Sequence, residues 1–240
     1  MNYDDISPYG GYRSALADQA SAFLSSVYAW MCAGLLITAA TAWVIAGSPT
    51  AIQAIATNRA LFWGLVIAQL GIVFVLSARV EQLASSTAAL LFVAYSAITG
   101  ATLSFVLLVY TGESVATTFV VTAGMFGALA LYGTTTKRDL GGVGQFLFMG
   151  LIGLLLASFV GLFVHSDGFQ FLLSFVGVIV FSGLAAYDAQ RLKLMALQSA
   201  TGQRSSSYAI VGALSLYLDF TNLFLFLLRF TGNRRGGSWS

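Results

Sequence analysis

Seven apolar stretches, each near the roughly 20 residues a helix needs to cross the hydrocarbon of a bilayer, constrain this chain more than any other feature. They run approximately over Phe23–Ala46, Ala60–Ala78, Thr87–Tyr110, Ser114–Tyr132, Val143–Val164, Phe169–Gln190 and Tyr208–Phe230. No soluble core could hide so much apolar surface: 58% of the 240 residues are hydrophobic and 8% are charged, against about 25% charged in a typical soluble domain. The fold class is therefore an all-α integral membrane protein with seven transmembrane helices. Residues 1–22 read as a polar cytoplasmic tail, 23–230 as the membrane domain and 231–240 as a short basic C-terminal tail. The first apolar stretch is too long for the core of a cleavable signal peptide.

The linkers carry nearly all the charge, and loop charge sets orientation. The N-terminal side collects Arg13, Arg79, Lys137, Arg138, Arg191, Lys193 and Arg204, while the opposite side has Arg59, Arg234 and Arg235. This predicts a cytoplasmic N-terminus and, with seven spans, a C-terminus outside; the basic tail argues the other way. A net charge of +2 without clustered Lys and Arg gives no nucleic-acid surface. One cysteine, Cys32, can form no intrachain disulfide, and one histidine, His165, excludes multi-histidine metal sites. Small residues at helix-packing spacing, among them Gly124/Ala128, Gly150/Gly153 and Gly177/Gly183, predict close helix approach.

The last span, "SLYLDFTNLFLFLLRF", holds Asp219 and ends near Arg229. A carboxylate at the bilayer centre costs about 2.5–3.5 kcal/mol on insertion scales. On a helix, Tyr208, Gly212, Ser215, Asp219, Asn222, Phe226 and Arg229 fall three or four apart on one face, so Asp219 looks inward with Ser215 and Asn222 as candidate polar supports. A second acid, Asp188, lies in "FSGLAAYDAQRLK", and apolar character continues past it to about residue 198. If the sixth and seventh spans form a hairpin about "SATGQRSSS", both acids lie about 15 residues from its centre and reach similar depth at 1.5 Å per residue. The spacing predicts one site. Two close carboxylates in low dielectric share a proton and titrate as a pair. They can also take a hard cation through oxygen. The bland alternative is that Arg191, one turn from Asp188, only neutralises it; polar residues inside spans are more often functional.

"VFSGLAAYDAQRLK" followed by "SLYLDFTNLFLFLLRF", with "AITGATLSFVLLVY" in the third span, resembles the Bax inhibitor-1 family in its bacterial branch, from about Phe23 to Arg229. The resemblance implies a bundle with the seventh helix at its centre. It also implies a pH-sensitive calcium leak gated by a di-aspartyl pair, whose acids fall on Asp188 and Asp219. In some members an arginine at the cytoplasmic end of the second helix latches the first aspartate; Arg79 stands at the equivalent place, although an arginine there also reads as an interfacial anchor.

Two other classes compete. Some bacterial relatives act as modulators of a membrane-bound AAA protease, which would make this chain a binding partner with no transport of its own. An intramembrane aspartyl protease also uses two Asp residues, but only the "YD" half of its signature is present, and the "HSD" stretch at His165 reads as a solvated loop. A retinal protein needs a lysine in its last helix, which has none. The expectation is a protein of the bacterial inner membrane that is not an enzyme and holds no cofactor. Its partners are the lipid bilayer, protons and Ca²⁺, the last as transported or bound ion on Asp188 and Asp219.

Overall fold

The computed structural model describes residues 8–161, 163–164, 166–198 and 204–235. Among these, eight helices follow one another: α1 (Pro8–Ala46), α2 (Pro49–Thr57), α3 (Arg59–Ala78), α4 (Ser85–Val109), α5 (Gly112–Thr135), α6 (Gly141–Val160), α7 (Asp167–Gln198) and α8 (Arg204–Thr231). Seven are long and apolar enough to cross a membrane. The exception is α2, with 9 residues. His165 and the first five residues of the "SATGQRSSS" turn, 199–203, lie outside the described residues.

Local chemistry accounts for the two departures from the expected spans. Ser48 precedes Pro49 and its hydroxyl accepts from the Ala51 amide at 3.4 Å. Proline at the first helical position costs no hydrogen bond, so the segment read as a linker is a capped helix. Asn58 closes α2 with its own N–H on the Ala54 carbonyl, and its side chain starts α3 by accepting from Leu61 N at 3.1 Å. In α1 the helix begins at Pro8, well before the expected Phe23. Its 39 residues make a rod of about 58 Å at 1.5 Å per residue, against a hydrocarbon thickness of about 30 Å. Residues 8–22 are therefore mostly helix rather than irregular tail, and one end of that helix stands outside the membrane.

The last helix is the centre of the bundle. In the membrane-spanning window of α8 56% of residues are buried, against 6% for α3 and 17% for α6. It packs on α1, α3, α4, α5 and α7. Leu214, Leu216, Leu223 and Leu228 are all enclosed, so the leucines off the polar stripe meet protein too. An apolar helix hidden on every side is what such a pattern permits. The lipid-facing surface comes from other elements, with Phe74 on α3 and Phe146 on α6 each 73% exposed.

Close helix approach rests on only some of the glycines that the spacing picks out, together with others. Gly124 and Gly153 face open space, whereas Gly177 and Gly183 lie against Phe226 and Leu147. Two approaches bring a glycine onto another helix's backbone: Gly133 of α5 on the Ala186 carbonyl of α7, and Gly100 of α4 on the Thr38 carbonyl of α1, where an added Cβ would sit 2.6 Å from oxygen. Both obstacles are backbone and cannot swing away. The tail past α8 is also structured: Arg234 bridges Tyr110, Thr111 N donates to Asn233 O at 3.0 Å and Arg235 N to Val109 O at 2.8 Å. The start of the basic tail is thus fastened to the α4–α5 turn.

Gly133→Leu is expected to destabilise the protein by about 1–3 kcal/mol through overpacking, read as a lowered midpoint of thermal unfolding in detergent. Gly71→Leu, on open α3 surface, should leave the midpoint unchanged.

Candidate functional site

Asp188 and Asp219 come from adjacent helices, since α7 and α8 pack along each other as a hairpin. Each is reached by continuous apolar helix, so no loop or break is needed to place it. The Asp219 carboxyl is 5% exposed, and its Oδ2 has no hydrogen-bond partner. The Asp188 side chain is 15% exposed. The two acids lie within electrostatic reach of each other, and the Arg191 guanidinium acts on both. The Ser215 hydroxyl, one turn before Asp219 on α8, lies near the Asp188 carboxylate. α7 and α8 therefore each contribute an acid, with a hydroxyl on one side and a cation at the rim.

The arginine at the pair is Arg191. Its Nη1 lies 3.5 Å from Asp188 Oδ1, an (i, i+3) pair on α7, with the arginine side chain 49% exposed. Arg79, which the resemblance offers as a latch and its place at a helix end as an anchor, ends α3 as its cap residue; it is exposed and makes no ion pair among the described residues. A helix end at the membrane boundary favours this outcome, because a long basic side chain there reaches outward to water. Asn222 also departs from expectation. Its amide donates to the Leu218 carbonyl of its own helix at 2.8 Å and so is turned to the backbone.

Three polar arrangements around the pair escape a reading by spacing. Thr38 of α1 hydrogen-bonds Tyr217 of α8 at 2.6 Å and donates to Ser96 O of α4 at 2.9 Å, knitting three helices two residues from Asp219. Tyr217 is edge-on to both Phe92 and Tyr95. Gln190, two residues past Asp188, accepts from Leu140 N at 2.8 Å and donates to Arg138 O at 2.7 Å. Lys193 donates to Thr134 O at 2.6 Å. These two side chains clamp the α5–α6 turn onto α7. Their partners are backbone groups, which leave no mark on the sequence.

Among the described residues no three of His, Cys, Asp and Glu gather as a metal cluster. Ca²⁺ takes six to eight oxygens, and two carboxylates with one hydroxyl fall short of that.

Seven spans, the last of which hides a carboxylate at the centre of the bundle, define a polytopic membrane protein with an ionisable centre. A model of the family described as "Inhibitor of apoptosis-promoting Bax1" matches residues 20–236. Inner membrane protein YbhL of Escherichia coli K12 is 53% identical over 215 residues, covering 89% of this chain and 92% of that protein. Uncharacterized proteins of Borreliella burgdorferi and Deinococcus radiodurans are 43% and 42% identical, over 89% and 91% of this chain and 92% and 93% of their own lengths. The chain belongs to the Bax inhibitor-1 family of membrane proteins.

A buried carboxyl oxygen without a partner lowers stability by about 1–3 kcal/mol. At a pH high enough to strip the proton from both acids, Asp219→Leu should therefore raise the thermal midpoint in detergent, while Thr38→Val, which strips a satisfied hydroxyl from Tyr217, should lower it. A drop on Asp219→Leu would mean that the carboxyl is held by bonds the geometry does not contain.

Proposed function

We propose that this protein is a pH-responsive leak for Ca²⁺ across the bacterial inner membrane, with Asp188 and Asp219 as its proton-operated gate. The observation that carries the reading is Asp219 Oδ2, buried and unpartnered on the central helix beside a second acid. With one proton between them, one carboxyl donates to the other and holds α7 against α8. Loss of that proton leaves two negative charges in a confined space. At about 4 Å and an effective dielectric of about 20, two unit charges repel by about 4 kcal/mol, which shifts a two-state equilibrium by roughly a thousandfold. Arg191 offsets part of this, but its side chain is half in solvent, where screening weakens it. Separation of α7 from α8 admits a cation between the carboxylates. The sign follows: higher pH removes the proton and opens the path, and lower pH closes it.

On this reading the protein is a conduit, with neither catalysis nor a resident cofactor. YbhL is named an inner membrane protein, which supports that location. We further infer a cytoplasmic N-terminus and an outside C-terminus. Of the two arginines that weigh against it, Arg235 is engaged at the α4–α5 turn, where its Nε donates to Tyr110 O at 3.0 Å; Arg234 meets Tyr110 through its backbone and its side chain is exposed.

In liposomes holding only the purified protein, Ca²⁺ flux is expected to rise with pH. Asp219→Asn and Asp188→Asn should each flatten that dependence while leaving the fold intact. A wild-type pH response in both variants would remove the pair as sensor. Background flux at every pH would favour the alternative, a modulator of a membrane AAA protease.

Orientation has its own test. A reporter fused after Ser240 should be active only in the outer compartment; cytoplasmic activity would reverse the assignment.

A further inference from the structure

α1 packs on α4, α7 and α8, and α5 packs on α7 and α8, but α1 and α5 do not pack extensively on each other. A cleft remains between them, with α8 as its back wall. One stretch of it has a volume of about 620 Å³ and a second about 340 Å³, and the two adjoin at Leu35, Phe119 and Phe220, which line both. The lining is almost wholly apolar, including Met31, Phe126 and Ala130. Along α1 it runs from Leu24 to Ala42, about 27 Å of helix and close to the full hydrocarbon thickness of about 30 Å. Surfaces facing an unfilled gap lose their dispersion contacts. At this depth the material at hand to fill the gap is a lipid chain.

One end of the cleft is different. Beside Leu24 a further hollow is lined by Ser21, Ser25 and Lys193. Lys193 is half-buried, uses one N–H on the Thr134 carbonyl, and has no acidic partner among the described residues. The C-terminal end of α5 takes part of its charge, as helix ends do. Lys137 and Arg138 follow directly and keep the rim positive, while the neighbouring Asp139 caps the Gly141 amide at 2.8 Å. A cation and two hydroxyls at the head of a long apolar groove have the layout of a phospholipid.

We propose that the α1–α5 cleft binds one anionic glycerophospholipid from the leaflet on the Lys193 side. Its phosphate sits at Ser21, Ser25 and Lys193, and one acyl chain lies along Leu24, Met31 and Leu35 over Phe126 and Phe220. The chain would rest on the residue next to Asp219, and the headgroup on the helix that carries Asp188. The binding site stands on the shape and charge of the cleft and does not depend on the leak reading.

The test is native mass spectrometry of the full-length protein in detergent, titrated with phosphatidylglycerol and with phosphatidylcholine of the same chains. Phosphatidylglycerol should bind one per chain and more tightly than phosphatidylcholine. Lys193→Gln should weaken it about fivefold, the worth of one basic residue at an anionic headgroup, and Lys193→Arg should retain it. Gly127 lines the cleft and faces open space, so Gly127→Trp fills the groove without a clash and should abolish saturable binding. Gly71→Trp, on the lipid side of α3, should not. Equal affinity for the two lipids, or wild-type binding by Gly127→Trp, would overturn the proposal.

Discussion

An ionisable group at membrane depth has to be kept from lipid, and that requirement organises the bundle. Asp219 satisfies it because α8 is sheathed by α1, α3, α4, α5 and α7. The sheath in turn needs backbones to come close, which glycines at 100, 133, 177, 183 and 212 allow by leaving no side chain between helices. The Thr38–Tyr217 bond and the fastened segment after α8 fix the height of that helix within its sheath. Position, enclosure and register of one carboxyl thus draw on five helices and a terminal strap.

The enclosure has a consequence for energetics. Several buried polar groups here are satisfied by their own helix: Ser96 donates to Phe92 O, Thr99 to Tyr95 O and Thr122 to Thr118 O. Such bonds cost little to bury and rarely move. Asp219 Oδ2 is left without one, and unsatisfied groups of this kind concentrate where function opposes stability. On the proposed reading, the neighbouring acid supplies what the backbone does not, provided a proton is present. The same site is then quiet in one protonation state and strained in the other.

Much of this was legible in the sequence, for reasons that differ by element. The seven spans follow from length and hydropathy, which no tertiary contact can override in a bilayer. The meeting of Asp188 with Asp219 follows from a hairpin whose arms must have equal rise, and the extension of α7 to Gln198 follows from its leucines. Ser215 was visible on the polar face. Asn222 was visible too, yet its amide turns to Leu218 O, since a backbone carbonyl four residues back is always within reach on a helix. Arg79 and Arg191 could not be ranked by spacing alone, because the competition depends on which side chain faces the hairpin. The α2 helix, the strap at Tyr110 and the α1–α5 cleft depend on backbone partners and on how helices splay, which a single sequence does not encode in any residue type.

The central claim is that one proton is shared between Asp188 and Asp219. Infrared difference spectroscopy across a pH series reports it directly, through the carbonyl stretch of a protonated carboxyl. The account predicts one such band in the wild type that vanishes as pH rises. It also predicts that Asp188→Asn shifts the titration of the band that Asp219 leaves behind. A band that titrates at the same pH with and without the Asp188 carboxyl would show two independent acids, and would contradict the shared proton on which the gate depends.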